Sequence, residues 1–196
     1  MRLFLLMLLL LPAAGLALEN DYVRVTRNSA TCPQANMPGC GDRVIVALDD
    51  MEVFVGYAKR HLSRGEIVVF GSEKGFPPPA GEFFEVVIKP GHPPVLSPPE
   101  IIPPEKNAML YDGEHYFIFK EKLAPGDTRA RHSHSQRVVI QLNKTRLQQW
   151  PDGEPEKVVE VLTEKPTFSP PVIHVVKNVG EAPLFGIVIE FKPQKK

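Results

Sequence analysis

Proline interrupts this chain so often that no fold built on long helices is open to it. Of 196 residues, 21 are proline and 14 glycine, about twice the average share of proline. Proline breaks helices and cannot donate to a β-ladder, so it confines regular structure to short runs between turns. No segment sustains a 3.6-residue apolar period with helix caps, whereas short apolar or alternating runs recur between Gly, Pro and Asp clusters. The fold class is therefore all-β, with strands expected at 22–26, 43–48, 52–55, 66–70, 83–89, 116–120, 137–149, 157–163, 172–176 and 184–191. Trp150-Pro151-Asp152-Gly153 reads as a hairpin turn, with Pro opening it and Gly taking positive φ.

The length suits one domain or two small ones, each with a core of its own. A hydrophobic fraction of 43% excludes disorder of the whole chain, and 23 basic residues against 23 acidic ones leave no net field. Nucleic acid and anionic lipid surfaces are thus excluded as electrostatic partners.

Arg2, the leucine-rich stretch from Leu3 to Leu11 and the small residues Ala13 to Ala17 form an export signal, with cleavage expected after Ala17. The apolar run from Leu3 to Leu18 is 16 residues, short of the roughly 20 that span a bilayer. An uncleaved anchor is the alternative. The mature protein is expected to be periplasmic or secreted and free of membrane. Export makes Cys32 and Cys40 candidates for a disulfide across a nine-residue loop, the alternative being two unlinked thiols.

Seven prolines between Pro90 and Pro104 read as an extended, semi-rigid linker. The expected organisation is a signal at 1–17, a first module at 18–90, a linker at 91–110 and a second module at 111–193. Shifting the chain by 94 positions sets Tyr22–Leu48 on Tyr116–Leu142 without a gap, and shifting by 103 sets Phe84–Pro90 on Ile187–Pro193. Two copies of one β-module account for both alignments.

His132 and His134 are one residue apart, so extended backbone points both imidazoles to one face. His174 lies in a later apolar run, and Asn178 has its parity. Gly126, five residues, then His132-x-His134, followed after an intervening hairpin by His174 and Asn178, resembles the two motifs of the cupin superfamily. The resemblance covers about 80 residues, Tyr116 to Pro193, and implies a double-stranded β-helix, or jelly-roll, barrel in two tandem modules. It also implies a divalent metal inside the second barrel, with His132, His134 and His174 as ligands. The chain departs from the family pattern where Val138 and Val139 stand in place of the motif glutamate and Ser169-Pro170-Pro171 in place of Pro-x-Gly.

Three neutral imidazoles suit Fe(II), Zn(II), Ni(II) or Cu(II) and leave coordination positions open. Gln136 and Asn178 share the histidines' parity and are the expected pocket residues around the site. Arg129, Arg131, Arg137 and Gln141 have the opposite parity and are expected to be exposed. In the first module the matching positions are Pro38, Cys40, Gly71 and Gly75, which hold no metal, so that module is structural. Together these features describe an exported metal-binding protein acting on a small-molecule ligand, as a dioxygenase or a metal-assisted lyase or isomerase. Self-association into a homo-oligomer is compatible with them. The alternative is a non-catalytic small-molecule-binding or structural module.

Overall fold

Residues 15–104 and 107–193 are described by the computed structural model, and among them are 16 strands and no helix. The first half contributes β1 (Gly15–Glu19), β2 (Val23–Arg27), β3 (Arg43–Ala47), β4 (Met51–Val55), β5 (Ala58–Leu62), β6 (Ile67–Phe70) and β7 (Phe83–Ile88). Five of these form an antiparallel sheet in the order β1-β2-β7-β3-β6, and β4 pairs with β5 as a separate hairpin. The second half contributes β8 (Ala108–Asp112), β9 (Tyr116–Leu123), β10 (Thr128–His134), β11 (Arg137–Gln141), β12 (Thr145–Pro151), β13 (Lys157–Val161), β14 (Thr167–Ser169), β15 (Val172–Asn178) and β16 (Leu184–Phe191). One sheet runs β8-β9-β16-β11-β14, and a second, β10-β15-β12-β13, closes over it as a jelly roll. Read from β8, the first of these has the strand order of the sheet read from β1. Most of the expected export signal, residues 1–14, lies outside the described residues; Gly15–Glu19 pairs with β2.

Residue parity explains why β3 and β7 are buried on both faces. Val44, Val46, Phe84 and Val86 point one way, and Ile45, Ala47 and Phe83 point the other into a core of the first half. The first face packs on Ile118, Val138, Ile140, Ile187, Ile189 and Phe191 of the second half, so one apolar cluster joins the two halves. Arg27 and Arg64 add ion pairs to Glu164, each at 2.9 Å.

The proline-rich segment is therefore no free spacer. It straps across β10: Ser133 N donates to Ile102 O at 2.9 Å, Ile102 N to Ser133 Oγ at 2.7 Å, and Leu96 N to Gln136 Oε1 at 2.9 Å. Leu96 and Ile102 lie between the proline pairs and supply the N–H groups that proline lacks. Residues 108–110, expected in the linker, belong to β8. The run expected at 137–149 is two strands, broken at Leu142–Lys144.

Cys32 and Cys40 form a disulfide in the loop between β2 and β3, packed against Val87. Among the described residues no helix is long and apolar enough to cross a membrane.

Candidate metal centre

The three histidines meet because β10 and β15 are antiparallel neighbours with His132 directly opposite His174. Strand alternation then puts His134 on the same inward face as His132. Ring centroids are 4.6 Å apart for His132 and His174, 4.8 Å for His132 and His134, and 5.6 Å for His134 and His174. One ligand nitrogen from each lies within 4.8 Å of the others, and all three residues are buried. Ligation at about 2.1 Å would draw these nitrogens closer together.

The hydrogen bonds leave the ligating nitrogens free. His132 Nδ1 lies 2.8 Å from Ala130 O, which makes Nδ1 the N–H donor and leaves Nε2, buried and unpartnered, with a lone pair. His134 Nδ1 lies 2.7 Å from Glu190 Oε2, so an ionised Glu190 accepts a hydrogen bond from Nδ1–H and leaves Nε2 with its lone pair. Neither ring nitrogen of His174 has a partner. Orphaned nitrogens at this depth cost free energy unless something occupies the space between them. Three converging neutral imidazoles, one oriented by a carboxylate, fit a transition ion.

Burial sets the protonation states. Desolvation lowers the pKa of His132, and it lowers those of His134 and His174 to about 2, so all three imidazoles are neutral. Burial also pushes the Glu190 carboxyl up to about 7, against the hydrogen bond that Ser135 N donates to it. Unfolded imidazoles titrate near 6.5, so below that pH the unfolded chain takes up protons that the folded histidines refuse, and acid costs stability. Glu190 acts oppositely: the folded state keeps a proton the unfolded state releases, a gain lost as pH rises through about 7. The imidazoles outweigh the one carboxyl, so chelator-treated protein should lose about 1 kcal/mol per pH unit between pH 6 and 5 from His134 and His174, with His132 adding to the loss. Urea midpoints at the two pH values check this; equal midpoints would refute it.

Beside the histidines is a cavity of roughly 360 Å³, whose lining includes His134, His174, Glu121, Arg137 and Gln141. Two expected pocket residues are elsewhere. Gln136 does not line the cavity; it is buried and accepts from Leu96 N of the strap. Asn178 is fully buried, hydrogen-bonded to Leu123 O, Ala182 O and Thr145 Oγ1, and closes the barrel end. Of the side chains expected to be exposed, Arg131 remains at the surface with Asp152 and Glu100. Arg129 is buried against Glu121 at 2.8 Å, and Arg137 and Gln141 enter the cavity. Parity counted through Ser135-Gln136 fails because the chain changes sheets there. Val139 lines the cavity, so the motif-glutamate position points inward with no ligating atom.

Sequence reasoning missed Glu190, the one acid in the apolar strand LFGIVIEF. Its parity opposite Ile187, Ile189 and Phe191 was a usable signal.

No family model matches this sequence, and no curated protein matches it. Solved structures do. AerE from Microcystis aeruginosa matches with TM-score 0.52 at 14% identity, covering 92% of this chain and 98% of its own. A Cupin 2 conserved barrel domain protein from Leptotrichia buccalis matches with TM-score 0.51 at 14% identity, covering 92% of this chain and 88% of its own. An oxalate decarboxylase from Lactobacillus farciminis, solved as a formate complex, matches with TM-score 0.56 at 11% identity over 89% of this chain and 78% of its own. The all-β jelly-roll fold is that of the cupins. The matches run across both halves of the chain, and at such identities they show its fold.

Proposed function

We propose that this is an exported cupin-fold protein whose second barrel holds one divalent transition ion on His132, His134 and His174 beside a pocket for a small oxygenated molecule. The carrying observation is the convergence of three buried histidines, with Nε2 of His132 and both ring nitrogens of His174 lacking any protein partner. Bound there, Fe(II), Zn(II), Ni(II) or Cu(II) would supply Lewis acidity, or redox chemistry where the metal allows it, with coordination positions left open. Glu190 keeps the proton on Nδ1 of His134 and fixes the ring's orientation. A dioxygenase or a metal-assisted lyase or isomerase is the class of activity this arrangement suits.

The disulfide supports an oxidising compartment, and the leader-like start supports export. The matching strand orders of the two large sheets support duplication of one module, the first copy now structural. Self-association, if it occurs, would leave the metal centre intact, because all three ligands come from one barrel.

The deciding experiment is elemental analysis of protein purified without chelators and reconstituted with each of the four metals. Near one equivalent per chain is expected with at least one of them. No stoichiometric metal in any case overturns the proposal and favours a metal-free binding module.

A further inference from the structure

Two cations line the cavity, Lys165, which is exposed, and Arg137, whose planar guanidinium has an edge left unused. Its Nη1 donates to Ser135 O at 3.3 Å and to Pro170 O at 2.9 Å, and among the described residues no carboxylate lies within 4.0 Å of the guanidinium. The Nε and Nη2 edge makes no hydrogen bond. The two nearby acids are already engaged. Glu190, directly across the ladder from Arg137, accepts from His134 and Ser135. Glu121 accepts from Arg129 at 2.8 Å and from Gln141 at 3.3 Å. A guanidinium with a free edge, in a cavity also lined by His134 and His174, calls for an anion of planar, two-oxygen geometry.

The rest of the lining narrows the ligand further. Val139, Leu147, Val159, Val161, Val176 and Val188 also line the cavity and supply its aliphatic wall. A small diacid would leave that wall against water, whereas a hydrocarbon body would cover it.

We propose that the cavity receives a monocarboxylate with a branched or straight aliphatic body, its carboxylate held by the Nε and Nη2 edge of Arg137 and its body against the valine-rich wall. This rests on the reading of the cavity as the ligand site and names the substrate class for it. Arg137 binds the ligand without ligating metal.

The test is calorimetric titration of metal-reconstituted protein, and of the same protein after chelation, with 4-methylpentanoate, its amide 4-methylpentanamide, and oxalate. The acid should bind at least about tenfold tighter than the amide in both preparations, and oxalate should be the weaker anion after chelation. Arg137→Gln should erase the preference for acid over amide while metal content stays at the wild-type level. Arg137→Lys, which keeps the charge but not the fork, should retain part of it. Equal affinity for acid and amide, undetectable binding of the acid, or oxalate binding as tightly as the acid to chelated protein would overturn the proposal. The acid, amide and oxalate comparisons use unmutated protein and so do not depend on whether a variant folds. Absence of metal from the wild type would instead refute the metal reading, and the titrations of chelated protein would still decide this one.

Discussion

His132→Ala is expected to abolish stoichiometric metal binding, weakening affinity at least about 100-fold while leaving the barrel folded. His132 faces His174 across the β10–β15 ladder, so its removal leaves two ligand rings with centroids 5.6 Å apart. Two imidazoles without a chelating third hold a divalent ion weakly. Glu190→Gln should have a smaller effect, about 10-fold to 100-fold, because the amide can still meet His134 Nδ1 but no longer enforces its tautomer. Arg131→Ala, at the surface with Asp152 and Glu100, should leave metal content unchanged. Elemental analysis after identical reconstitution reads all three; a full equivalent in the His132 variant would remove these histidines from the site.

The second large effect concerns how the halves depend on each other. Phe84 is 1% exposed and lies in the cluster that joins the two sheets, so Phe84→Ala should cost about 3–5 kcal/mol. The chain has one tryptophan, Trp150, in the second half. If the shared cluster makes one cooperative unit, its fluorescence transition in urea should shift with the far-ultraviolet circular dichroism transition, although Phe84 is in the first half. A Trp150 midpoint unmoved by the substitution would show that the halves unfold independently.

Seven prolines read as a spacer because proline excludes ladder strands, which is sound local reasoning. Whether such a segment floats or lies down depends on what it meets, and Ser133 and Gln136 offer it partners from β10 and the turn after it. Gln136 was in turn misplaced for the complementary reason: its parity relative to His134 was right for a continuing strand, but the chain leaves one sheet for another at that point. The same change of sheet carries Arg137 and Gln141 from the expected surface into the cavity.

The short strands, the all-β class, the pairing of Cys32 with Cys40 and the common inward face of His132 and His134 were legible from the residues, because each rests on interactions between near neighbours in sequence. Alternation, turn chemistry and the reach of a nine-residue loop are local physics. Proposing His174 as the third ligand took a motif resemblance. Placing it opposite His132 took the register of β10 on β15. Glu190 behind His134, Arg137 in the cavity and the apolar face joining the halves were decided by tertiary structure alone. Each depends on which strands become neighbours, and that is settled by burial summed over both sheets.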